Sequence, residues 1–81
     1  MNNEAKYLDV FMKLFEIGEE EAKALKYQDI PAWDSIGHMS LINELEETFN
    51  ISMDADDIID LESYKKGKEI LSSPKYGISM S

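Results

Sequence analysis

Apolar residues recur at helical spacing through three stretches of the chain, and nowhere do they alternate long enough to make a strand. Over 3–16, Leu8, Phe11, Met12 and Phe15 share one stripe, and Gly18 follows where such a helix would stop. Over 35–49, Leu41, Leu45, His38, Phe49 and Ile42 project into one sector about 100° wide, the width of a buried stripe. Ile36 and Met39 project outside it, on the side of Asn43, Glu46 and Glu47. A short helix is predicted over 54–60, where Asp54 and Asp57 have the spacing of an N-cap and a first-turn acid. A last helix is predicted over 63–72, with Tyr64, Gly67, Lys68 and Leu71 at helical spacing, ended by Ser72, Ser73, Pro74 and Gly77. The pattern is all-α: a small four-helix bundle of three longer helices and one short third helix.

The connection between the first two predicted helices is long for so small a domain. It contains a helix-compatible piece over 19–25, then Tyr27, Ile30, Pro31 and Trp33. A loop of this length is normally functional or tied down by its own side chains. Leu25, Ile30 and Trp33 are the candidate pins. The 81 residues are expected to form one domain with one modest core, and the tail over 73–81 is expected to be flexible.

Charge changes the picture more than composition does. The net charge is −9, which argues against nucleic acid as a partner. Between Tyr27 and Tyr64 lie ten acids (Asp29, Asp34, Glu44, Glu46, Glu47, Asp54, Asp56, Asp57, Asp60 and Glu62) and no Lys or Arg. All eight basic residues are lysines outside that stretch, with the other seven acids. A field of one sign repels itself and does not stabilise a fold; its use is to solubilise the surface or to steer basic partners. Cysteine is absent, which excludes disulfides and thiolate chemistry. No apolar run approaches a membrane span and Met1-Asn2-Asn3-Glu4 is unlike a signal peptide, so a cytoplasmic monomer is expected.

Candidate chemistry centres on Ser35, which ends the irregular connection and opens the best helix. A serine there is either an N-cap for the first-turn N–H groups or an accessible attachment point beside them. Two apolar residues off the core stripe, rimmed by carboxylates, have the make-up of a small docking patch. His38, the single histidine, sits on the core stripe, which favours a hydrogen-bonded, partly buried imidazole. A hydrolytic Ser35–His38 pair lacks a nucleophile elbow and an oxyanion loop, so no catalytic residue is assigned. A calcium loop starting at Asp54 fails as well. Its glycine position holds Ile59 and its final glutamate position Lys65, so no metal site is assigned.

Asp34-Ser35-Ile36, followed by Leu41-Ile42-x-x-Leu45-Glu46-Glu47-x-Phe49, resembles the acyl carrier protein family. That family's signature is Asp-Ser-(Leu/Ile) and then an apolar helix ending in Leu-Glu-x-x-Phe. The resemblance covers nearly the whole chain, since the predicted helices and the long loop fall in the family's order. It implies that Ser35 carries 4′-phosphopantetheine, joined through a phosphodiester derived from coenzyme A. It implies that Asp34 helps a phosphopantetheinyl transferase and its magnesium engage. Ile36, Met39, Glu46, Glu47, Asp56 and Asp57 match the face that partner enzymes read. Those partners would be an acyl-loading ligase or synthase and acyltransferases with basic docking patches. Trp33, Gly37, His38 and the Met53-Asp54 pair depart from the commonest fatty-acid type and look more like stand-alone carriers of specialised pathways. The expected function is therefore a non-catalytic carrier of acyl groups as thioesters. The alternatives are a peptidyl or aminoacyl carrier, with the same arm, and an unmodified acidic helical adaptor for a basic partner, in which Ser35 is only a cap.

Overall fold

A computed structural model describes residues 2–80 as a small all-α bundle, with five helices among them. They are α1 (Asn3–Phe15), α2 (Glu19–Lys23), α3 (Ser35–Phe49), α4 (Ala55–Asp60) and α5 (Tyr64–Ser72). The fifth helix comes from the helix-compatible piece of the long connection, which closes into a single short turn and a half as α2. The nearest approach to sheet among the described residues is an isolated antiparallel bridge, Lys26 to Ser63. There Tyr27 N–H donates to Glu62 O at 2.8 Å and Tyr64 N–H to Leu25 O at 2.9 Å, which ties the loop to the α4–α5 junction.

Each helix boundary has a chemical cause. Asn2 caps α1, its side chain accepting from Ala5 N–H at 2.8 Å, and Ser63 caps α5 by accepting from Lys66 N–H at 3.0 Å. The first helix stops at Phe15, where Glu16 takes left-handed backbone angles (φ 54°). Gly18 lies just beyond that end, as expected, and is also the N-cap of α2. Asn50 (φ 55°) closes α3 in the same left-handed way, a conformation asparagine tolerates better than most residues.

The core is aromatic. Tyr7, Phe11 and Trp33 are fully buried, Phe15 and Tyr64 nearly so, and Leu41, Ile42, Leu45, Leu61 and Leu71 close around them. The buried face of α1 is Tyr7, Val10, Phe11 and Phe15, so it is turned toward Tyr7 relative to the predicted stripe. Leu8 and Met12 lie at its margin. On α3 the buried residues are Leu41, Ile42 and Leu45, all on the predicted stripe. Leu25 and Trp33 pin the long connection in the core, with Ile30 half-buried beside them. The closing residues were expected to be loose. Instead Ile78 and Met80 are buried and Ile78 N–H donates to Leu71 O at 3.0 Å, because a left-handed Gly77 turns the chain back onto α5.

Close approach of α1 and α5 depends on Gly67. A Cβ there would sit 2.2 Å from the Tyr7 hydroxyl and 3.0 Å from Leu61. The Tyr7 hydroxyl donates to Tyr64 O at 2.7 Å, whereas the buried Tyr64 hydroxyl meets no hydrogen-bond partner among the described residues. Burial holds the Tyr7 phenol well above its ordinary range. The two tyrosines are therefore expected to differ in chemical denaturation. Tyr7→Phe should lose about 1 kcal/mol with its hydrogen bond, and Tyr64→Phe should be neutral or stabilising, because it removes an unpaired polar group. Gly67→Ala should destabilise by about 1–3 kcal/mol, since the overlap outweighs the gain of about 1 kcal/mol in helix propensity.

Candidate functional site

Asp34, not Ser35, caps α3. Its Oδ1 accepts from Gly37 N–H at 2.8 Å while its backbone stays extended, and its own carbonyl accepts from His38 N–H at 2.8 Å. Ser35 is therefore the first helical residue and is exposed. Its Oγ lies 3.3 Å from the Tyr27 hydroxyl, with either oxygen able to donate. The cap explanation for Ser35 is thus removed by its neighbour.

Trp33 fixes where this helix mouth sits. Its indole is fully buried, stacked on Phe15 at 5.5 Å between centroids and nearly coplanar with the His38 ring, 15° between planes with centroids 6.1 Å apart. Its Nε1–H donates to His38 Nδ1 at 2.9 Å, so Nδ1 is the acceptor nitrogen and Nε2 carries the proton. Nε2–H in turn donates to Ile58 O at 2.7 Å. Both imidazole nitrogens are engaged away from Ser35, which rules out His38 as its general base in this conformation. The histidine is what its place on the stripe predicts, a satisfied and partly buried ring. Gly37 also has a steric reason. A Cβ there would lie 1.9 Å from the Ala32 carbonyl oxygen, so the loop can fold against α3 only if residue 37 lacks one.

Beside Ser35 a groove of about 420 Å³ runs between α3 and α4, lined by Tyr27, Ser35, His38, Met39, Ile58, Ile59, Leu61 and Glu62. It is apolar along its walls and polar at the end near Tyr27, Ser35 and Glu62. Three large apolar residues stand exposed among the described residues: Ile36 at 79%, Met39 at 49% and Ile59 at 75%. Two were predicted from the projection of α3. Ile59 was missed, although an Ile58-Ile59 pair on so short a helix must turn one side chain outward. Tyr27 was missed because no periodicity in a loop reveals which residue folds over a helix start.

The predicted acids divide. Glu47 and Asp56 are exposed, as is Asp34 apart from its capping role. Glu46 is half-buried and its Oε2 accepts from Met53 N–H at 2.8 Å, so it holds the chain between α3 and α4 and is not part of the open face. Asp57 is likewise engaged within the chain. Its Oδ2 takes Lys75 Nζ at 2.8 Å and the Tyr76 hydroxyl at 2.6 Å. Those two bonds, Lys75 first, lower its carboxyl below the ordinary range. Asp54 starts α4 without using its side chain as a cap, because that carboxylate pairs with Lys75 at 2.5 Å. Among the described residues no group of three or more His, Asp or Glu side chains could hold a metal ion, and no helix is long and apolar enough to cross a membrane.

His38→Ala is expected to destabilise the protein by about 2–3 kcal/mol, through two lost hydrogen bonds and an unpaired buried indole N–H. Trp33 is the single tryptophan, so its fluorescence should report the change as a red shift before global unfolding. Gly37→Ala should destabilise by more than 1 kcal/mol in the same assay, although alanine is the better helix former by about that amount. Comparison with protein-family models, curated proteins and solved structures found no match to the chain.

Proposed function

We propose that the protein is a phosphopantetheine carrier, a cytoplasmic shuttle that displays acyl or related carboxylic acid groups as thioesters on an arm attached to Ser35. One observation carries the reading: Asp34 caps α3, and the Ser35 hydroxyl beside it is exposed without a capping duty. Support comes also from the sequence around Ser35, which resembles that of acyl carrier proteins.

In the attachment step Ser35 Oγ attacks the phosphorus of coenzyme A that bears the pantetheine. A Ser35 O–P bond forms, the P–O bond to adenosine 3′,5′-bisphosphate breaks, and the serine proton passes to a base of the phosphopantetheinyl transferase. The chain's own contribution is presentation. Asp34 and the first turn of α3 fix the position of Oγ, and Tyr27 lies within hydrogen-bond reach of it. Thioester chemistry on the arm needs no acid or base from the carrier.

Partner enzymes would read the exposed strip formed by Ile36 and Met39 of α3 with Ile59 of α4. Asp34, Glu47 and Asp56 give that strip its charge. An apolar centre with an acidic rim suits a basic surface that must bind quickly and leave quickly. Glu46 and Asp57 contribute to the field from within the fold and are not free contacts.

Incubation with coenzyme A and a promiscuous transferase should add the phosphopantetheinyl mass to the intact protein. The addition should vanish in Ser35→Asn, whose stability should stay within about 0.5 kcal/mol of the parent because Asp34 supplies the cap. No mass gain in the parent, or gain that persists in the variant, would sink the reading. Glu47→Lys should slow the modification severalfold at low salt with little change in stability, and the difference should shrink as salt rises.

A further inference from the structure

The short helix α4 forms one wall of the groove beside Ser35, yet none of its own side chains is buried. It is a span between two buried anchors, Met53 before it and Leu61 after it. Between those anchors, hydrogen bonds from other segments hold it down. His38 Nε2–H reaches the Ile58 carbonyl from α3. From the C-terminal segment, Lys75 pairs with both Asp54 and Asp57, and the Tyr76 hydroxyl donates to Asp57 while accepting from Asp54 N–H at 3.0 Å.

That segment is itself fixed. Ile78 and Met80 are buried against the core and Ile78 N–H is bonded to Leu71 O, so Lys75 and Tyr76 stand on a post anchored independently of α4. Lys75 has a second distinction. The stretch from Tyr27 to Tyr64 holds ten acids and no basic residue. Among the described residues, Lys75 is the one cation that makes an ion pair with any of them. Lys75 and Asp54 are 48% and 64% exposed while Asp57 is 19% exposed, so the pairs add little to global stability and Lys75 is open to competition from the solvent side. Their effect is local, on the opening of a weakly buried element.

We propose that Lys75 and Tyr76 form a latch on α4, and that a docking partner's arginine or lysine, by replacing Lys75 at Asp54 and Asp57, releases α4 and widens the groove beside Ser35. Lys75 thus stands in for the partner's cation when the protein is alone. Docking on the acidic face and access to the groove then become one coupled event, since the same carboxylates that attract the partner hold the wall shut. The consequence for cargo rests on the carrier reading. The latch itself does not.

The test is backbone hydrogen exchange followed by NMR on the unmodified chain. In Lys75→Gln/Tyr76→Phe, which keeps the Tyr76 ring, the Ile58 and Leu61 amides should exchange at least tenfold faster, because they bond to the Asp54 and Asp57 carbonyls of α4. Amides of α1 and α3 should stay within about twofold of the parent, as expected for a local opening. Hexa-arginine added to the parent should raise α4 exchange toward that of the variant, and should have no further effect on the variant. Unchanged α4 exchange in the variant, or acceleration spread equally over α1 and α3, overturns the latch. Failure of hexa-arginine to accelerate α4 in the parent overturns the coupling to a partner. If the double variant does not fold, Tyr76→Phe alone is read by the same criteria with at least a threefold rise in α4. A chain that passes here but never accepts the arm on Ser35 keeps the latch and loses the carrier reading.

Discussion

A fully buried tryptophan needs a partner for its indole N–H, and at Trp33 that need organises the molecule. Burying such a side chain contributes up to about 5 kcal/mol from its apolar area, and leaving its N–H unpaired would return about 1–3 kcal/mol of that. His38 accepts the bond through Nδ1, which leaves Nε2 as the donor, and Nε2 finds the Ile58 carbonyl. One proton placement thus links the long connection, the first turn of α3 and the short helix α4. The stacking of Trp33 on Phe15 adds α1 to the same unit. Ser35 stands two residues from the tryptophan and three from the histidine, so its place at the helix mouth is inherited from this chain of contacts.

The period of apolar residues makes α3 and its faces legible in the sequence. Leu41, Ile42 and Leu45 are buried and Ile36 and Met39 exposed, as a 3.6-residue repeat dictates. The same rule worked less well on α1, because an aromatic at Tyr7 buries a hydroxyl that sequence patterning treats as half-polar. Its bond to the Tyr64 carbonyl, from a residue 57 positions away, makes that burial affordable. The C-terminal segment was illegible for a related reason. Ser73, Pro74 and Gly77 look like a frayed end, but Gly77 is the left-handed turn that returns Ile78 and Met80 to the core. Turn residues mark where a chain bends and say nothing of whether the next apolar residues find a surface to cover.

The candidate site shows the same boundary between local and long-range information. Asp34-Ser35 at a helix start could be read as cap and neighbour in either order, and only backbone geometry decides that Asp34 takes the amide. The ten acids without a base could be counted from the sequence, but their division could not. Glu46 and Asp57 look like surface charges by spacing, yet each serves a contact from outside its own helix: Met53 of the following link in one case, Lys75 and Tyr76 of the C-terminal segment in the other. Glu47 and Asp56 stay exposed and make no ion pair among the described residues, although Asp56 lies between the two acids that Lys75 holds.

Gly37 and His38 are the residues after Ser35 that depart furthest from the commonest carrier pattern, and it is tempting to take them as marks of an unusual cargo. Their structural duties argue otherwise. Gly37 is required because the Ala32 carbonyl would lie 1.9 Å from any Cβ there, and Ala32 is brought so close by the burial of Trp33 one residue later. His38 is required to accept the indole N–H of that same residue. Trp33, Gly37 and His38 are therefore one device for seating the loop on α3, and a change at one would have to be matched at the others. Such a set can covary with the fold's own packing whatever the arm carries. Information about cargo has to come from side chains free of that duty, and in the groove beside Ser35 those are Met39, Ile59 and Glu62, since Tyr27 packs edge-on against both Trp33 and His38.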